Sequence, residues 1–255
     1  MKTTIQLELE LSKSKMIEEV SFSGTTLAKI TRDNVAIVEA MIRNDSAYIR
    51  VNDPSAGPKY NRSGKQTYGG SSAYWMTKLK RCLNNKGDCA DYSYEEIIRG
   101  AVEAIDRENS THLNADSCGR EEIIKRILKL EKRELLTCLS QPEYEDMKLV
   151  RIIAKVTSAE KRARTNLSFA SKFCHYACFF LFDGMESQDN YSIYDSILRN
   201  VLPNYLEYYG IKEQFDLADY KQYQQAIDRI REASGIEISR NGFDHLLWYY
   251  HKGRV

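Results

Sequence analysis

The stretch from Leu167 to Phe182 is the most apolar in the chain, and Lys172 is the only formally charged residue in it. Leu167, Ala170, Cys174, Ala177 and Leu181 recur at helical spacing, and Phe169, Phe173, Tyr176 and Phe180 form a second stripe. A helix apolar over so much of its circumference belongs inside a protein, covered on most sides by other elements. Within such surroundings Lys172 is anomalous. Removal from water disfavours an ammonium ion, and an amine that is neutral part of the time is a nucleophile. Lys172 is therefore the first candidate for chemistry.

The segments on either side also read mainly as helices. Ser93-Tyr-Glu-Glu96 is a capping box that opens a helix to about Glu108. Gly119 to Cys138 carries apolar residues at helical spacing, and Pro142 suits the first turn of a helix running through Val156. Further helices are expected over Asp33–Arg43, from Asp195 to about Tyr209, over Leu217–Ala233 with Gly235 just past the end, and over Ser239–His251. Alternation at Ile5, Leu7, Leu9 and Leu11 suits a strand, Ser46–Val51 reads as another, and Asn52–Ser72 reads as a long loop. The expectation is a mainly α fold with a small β element at the N-terminus. Residues 1–72 form an N-terminal region and loop, residues 73–255 a helical domain, and the catalytic core lies near 140–210.

Composition bounds the partners. At a net charge of +1 the chain has no global excess that would advertise a polyanion, so any nucleic-acid surface must come from local clustering. No run reaches the roughly 18 apolar residues needed to span a membrane, and the N-terminal residues lack the apolar core of a secretory signal. The six cysteines follow no small-scaffold pattern, which points to a reduced, cytoplasmic setting. Cys174, His175 and Cys178 lack a fourth ligand at diagnostic spacing, so neither a metal nor another cofactor is expected.

Asp195, 23 residues after Lys172, precedes an apolar-periodic segment at the N-cap position. Backbone N–H groups and the positive helix end favour its ionised form there. An amine that attacks carbon and a carboxylate that stabilises a cation or moves protons are complementary tools.

Asn166-Leu-Ser-Phe-Ala-Ser-Lys172-Phe-Cys-His175, followed by Tyr191-Ser-Ile-Tyr-Asp195-Ser, resembles the bacterial branch of 8-oxoguanine DNA glycosylase-like proteins. These belong to the helix-hairpin-helix (HhH-GPD) glycosylase superfamily. Gly242-Phe-Asp-His-Leu-Leu-Trp248-Tyr-Tyr is similar to the ending of the same group. The resemblance implies a helical HhH-GPD glycosylase-like fold and a bifunctional DNA glycosylase/AP lyase. Lys172 would attack C1′ of an extruded nucleotide, and Asp195 would stabilise the sugar cation and assist proton transfer. The partner implied is double-stranded DNA with a flipped base. His175, Tyr176, Phe243 and Trp248 are the candidate base pocket.

One departure stands out. The turn that usually precedes the lysine contains glycine and proline, whereas Thr157–Asn166 has neither. Lys155, Lys161, Arg162 and Arg164 are then the candidates for holding phosphates by side chain. The resemblance implies a substrate that is 8-oxoguanine-like, or a modified base of invading phage DNA, since the same branch is similar to proteins of antiviral gene clusters. The alternative is a non-catalytic module that binds nucleic acid or a partner protein of a defence operon.

Overall fold

The computed structural model describes residues 16–84, 91–109, 111, 113, 119–143, 145–157 and 163–255. The fold is mainly α, with three small antiparallel strand pairs among the described residues. The chain divides into two compact units, one built from residues 1–49 and 194–255 and the other from 50–193. The expected boundary at residue 72 thus falls inside the second unit.

The first, discontinuous unit opens with β1 (Glu19–Phe22) and β2 (Thr25–Ala28), paired so that Phe22 faces Thr25. The two-residue turn needs positive φ twice, and Ser23 and Gly24 supply 47° and 78°. Helix α1 (Arg32–Ile42) is capped by Thr31, whose side chain accepts from the N–H of Asn34. Asn34 is fully buried and tolerated there because it is satisfied. Its amide oxygen accepts from Glu18 N (2.9 Å), and its amide nitrogen donates to the carbonyls of Glu18 and Lys29 (both 2.8 Å). The unit closes with α9 (Ser196–Tyr208), α10 (Tyr220–Ser234) and α11 (Arg240–His251). Helix α11 packs on α1 and β2, so residues far apart in sequence make one core.

The second unit holds α3 (Ser72–Asn84), α4 (Tyr94–Asn109), α5 (Gly119–Leu128), α6 (Lys132–Ser140), α7 (Lys148–Ala154) and α8 (Leu167–Leu181). Helix α8 is its centre, packed against α3, α4, α6 and α7 as its apolar girth requires. Ser93 and Glu96 form the expected capping box: the Ser93 N–H donates to the Glu96 carboxylate (2.7 Å), and the Glu96 N–H donates to the Ser93 hydroxyl (3.2 Å). Helices α3 and α4 meet face to face at Trp75 and Gly100. A Cβ on Gly100 would come within 2.3 Å of the indole, so only glycine permits this approach.

Several elements differ from expectation. Ser46–Val51 is a short helix, α2, rather than a strand. The long loop over 52–72 contains a hairpin, β3 (Pro58–Tyr60) and β4 (Gln66–Gly69). The apolar pattern over 119–138 is split into α5 and α6. The helix expected from Pro142 begins only at Lys148, because Glu145, Asp146 and Met147 all take left-handed backbone conformations. It ends at Ala154, and Val156 lies in β5 (Lys155–Thr157), paired with β6 (Ala163–Thr165). The strand expected over Ile5–Leu11 lies outside the described residues. Cys82 is disulfide-bonded, so the expected reduced state does not extend to it, whereas Cys138, Cys174 and Cys178 are free and buried. No helix among the described residues is long and apolar enough to cross a membrane.

Candidate active site

Helix α8 begins where β6 ends. The Asn166 side chain caps it, accepting from the N–H of Phe169 (2.9 Å), and its amide nitrogen donates to the carbonyl of Thr111 (3.2 Å). The Asn166 N–H donates to the carbonyl of Ala154 (2.7 Å), which ties the start of α8 to the end of α7. The lysine is thereby placed on a helix fixed at its first turn.

Nine of the fifteen residues of α8 are buried, but Lys172 is not one of them. It is half-buried, on a stripe with Ser168 before it and Tyr176 after it. This corrects the expectation of a lysine fully inside the protein. Positions 168, 172 and 176 are successive turns of one face, and this face stays partly open. The Lys172 ammonium donates to the Ser168 hydroxyl (3.1 Å), and the Tyr176 hydroxyl donates to the Asn109 side-chain oxygen on α4 (3.4 Å). Ser168 and Asn109 were not among the expected site residues. The four-residue spacing from Ser168 to Lys172 was readable in the sequence. Asn109, 67 positions from Tyr176, left no such signal.

His175 is buried, and its Nδ1 lies 3.0 Å from the carbonyl of Tyr191. A carbonyl only accepts, so the proton sits on Nδ1. The ring holds the segment that follows α8, and Asn190 and Tyr191 fasten the same segment to α6 through the carbonyls of Leu139 (2.8 Å) and Cys138 (2.6 Å). Cys174 and Cys178 point elsewhere. Burial holds both thiols well above the usual range, so they stay protonated and do not compete with the amine as nucleophiles. Among the described residues no group of His, Cys, Asp and Glu is placed to hold a metal ion.

Asp195 belongs to the first unit and Lys172 to the second. Asp195 caps α9 as expected: its Oδ1 accepts from the N–H of Ile197 (2.7 Å), and its carbonyl accepts from the N–H of Arg199 (3.0 Å). The Tyr223 hydroxyl is hydrogen-bonded to its backbone. The carboxylate is half-buried, and its second oxygen accepts no hydrogen bond among the described residues.

The remaining expected residues are dispersed. Phe243 has no exposed surface and packs in the core of the first unit, which leaves no ring face for a base. Trp248 is half-buried on the same helix, with the Arg254 guanidinium 5.0 Å from its ring centre. Lys155 and Arg164 are exposed on β5 and β6, where Arg164 pairs with Val156. Lys161 and Arg162 lie outside the described residues.

A family model described as an N-terminal domain, HI_0787_N, matches residues 77–178, less than half of the chain. The matched stretch runs from α3 into α8; it includes Lys172 and ends before Asp195. No curated protein and no solved structure matches.

Proposed function

We propose that the chain is a DNA glycosylase/AP lyase that removes a damaged or modified base through a Schiff base on Lys172. The observation that carries this reading is the position of the lysine: its amine stands on the one half-open stripe of an otherwise buried helix, next to a hydroxyl. Helices α7 and α8 are separated by an antiparallel strand pair, where the resemblance implies a glycine- and proline-containing turn.

The neutral amine of Lys172 attacks C1′ of an extruded nucleotide, the glycosidic bond breaks, and the base leaves with its bonding pair and takes up a proton. Loss of the amine proton and opening of the sugar give an imine, and β-elimination then breaks the bond to the 3′ oxygen. Asp195 stabilises the sugar cation and passes protons. Its cap bond engages only one oxygen and leaves the other for that work. The substrate is an 8-oxoguanine-like lesion or a modified base of phage DNA, and the setting is cytoplasmic.

Borohydride in the presence of abasic or damaged duplex should trap a covalent adduct with the wild type and none with Lys172→Ala. Equal trapping by both proteins would overturn the assignment. DNA binding without trapping by either would favour the non-catalytic module. That rival draws support from the lack of glycine and proline in 157–166.

A further inference from the structure

In a chain of near-zero net charge, residues 54–87 hold seven Lys and Arg and no Asp or Glu. Three of these cations, Lys59, Arg62 and Lys65, stand exposed on the β3–β4 hairpin, and none is in a salt bridge among the described residues. Tyr60 beside them is 61% exposed, although most large apolar side chains are covered.

The hairpin is built to hold its shape. At the tip Asn61 accepts from the N–H groups of Ser63 (3.1 Å) and Lys65 (2.9 Å), and Gly64 supplies the positive φ of 76°. At the root the Glu108 carboxylate accepts from the Tyr68 hydroxyl (3.2 Å) and from the N–H and hydroxyl of Ser72 (3.0 and 2.6 Å). The Trp75 indole N–H donates to the carbonyl of Gly69 (2.6 Å). Glu108 is 4% exposed and paired with Arg107, so its charge is spent inside and does not offset the cations outside. Arg107 covers the Tyr68 ring at 5.0 Å, and the exposed Arg50 nearby extends the positive surface to the root.

We propose that the β3–β4 hairpin is a DNA contact that lies in a groove of the duplex, with Lys59, Arg62 and Lys65 on phosphates and Tyr60 against a sugar or base edge. A two-stranded ribbon is the right width for the major groove. Exposed cations outside any salt bridge, on an element whose backbone is already ordered, gain counterion release with only a side-chain ordering cost. The hairpin lacks the cluster of apolar side chains that a lipid surface or a protein partner would bury. The inference rests on the proposed function only in taking DNA as the polyanion.

The test is the salt dependence of binding to a fluorescent duplex, measured by anisotropy. The triple variant Lys59→Ala/Arg62→Ala/Lys65→Ala should bind at least about tenfold more weakly near physiological salt, and its log–log salt slope should fall by about 0.9 for each phosphate that is no longer neutralised. Tyr60→Ala should weaken binding about fivefold or more with no change of slope. A control triple, Lys125→Ala/Lys129→Ala/Arg133→Ala, removes the same charge from α5, α6 and the turn joining them, and should leave the slope in place. The substituted side chains are exposed, and equal melting temperatures check that each variant folds. An unchanged slope in the hairpin variant, no DNA binding by the wild type, or equal hairpin-dependent binding to polyglutamate or anionic vesicles would overturn the proposal. Trapping by the wild type together with an unchanged slope sinks the hairpin contact alone. A hairpin-dependent slope without trapping sinks the glycosylase alone.

Discussion

The Lys172 ammonium lies 3.1 Å from the hydroxyl of Ser168, one helical turn before it on the half-open stripe of α8. The bond holds the amine in one place on the open face of the helix. Ser168→Ala should therefore slow trapping about tenfold, since a hydrogen bond to a charged group is worth roughly 1.5–3 kcal/mol. Ser168→Thr should restore the rate. A rate unmoved by Ser168→Ala would show that the hydroxyl only fills space.

The cap that Asp195 provides and the chemical role proposed for it can be separated. Asparagine caps a helix as well as aspartate does but carries no charge. Asp195→Asn should keep the melting temperature and DNA binding while base excision falls by about two orders of magnitude. Asp195→Ala should in addition lose about 1 kcal/mol of stability through the missing cap bond. Full excision by Asp195→Asn would remove the residue from the mechanism.

Lys155 and Arg164 are exposed on the strand pair that precedes Lys172. If they hold phosphates, each alanine substitution should lower the salt slope of DNA binding by about 0.9 and leave the choice of base unchanged. A slope equal to that of the wild type places the DNA elsewhere.

Gly100→Ala tests the packing of α3 on α4. The added methyl meets the Trp75 ring, which is held by its own bond to Gly69 and cannot swing away freely. A loss of about 1–3 kcal/mol is expected in urea unfolding followed by indole fluorescence. Unchanged stability would mean that the two helices separate at little cost.

Burial lowers the pKa of His251, whose Nε2 lies 3.2 Å from the Tyr205 hydroxyl in the first unit. The unfolded chain then takes up a proton near pH 6.5 while the folded chain does not. The folded state is fully favoured above that value, and its stability falls as pH drops through about 6.5 toward the lower folded value. His251→Gln should flatten the melting temperature between about pH 7.5 and 5.5. Parallel pH profiles for the two proteins would locate the dependence in another group.

How far the sequence was readable depended on whether the deciding interaction was local. The caps at Ser93, Asp195 and Ser239 and the stop at Gly235 act over a few residues, and all are where the pattern puts them. The helix over 46–51 and the hairpin at 58–69 do not follow from their local patterns. The hairpin is held by Glu108 and Trp75, partners up to 40 positions away that no local pattern contains. The late start of α7 reflects three left-handed residues with no glycine to announce them. The cap at Asp195 was legible because its own helix marks it, whereas the half-open face that carries Lys172 was not. Phe243 was not, because an aromatic in a terminal motif reads the same whether it faces a ligand or a core.

The interrupted first unit sets an order on assembly during synthesis. Residues 50–193 form a contiguous unit that can collapse as soon as it leaves the ribosome. Helix α1 and the β1–β2 hairpin emerge earlier but must wait for α11, far downstream in the chain, before their apolar faces are covered. Early in its life the nascent chain therefore carries an unfinished N-terminal half-core, the part most in need of a chaperone. A ribosome stalled just before α11 would release a product with the lysine-bearing unit formed and that half-core still open.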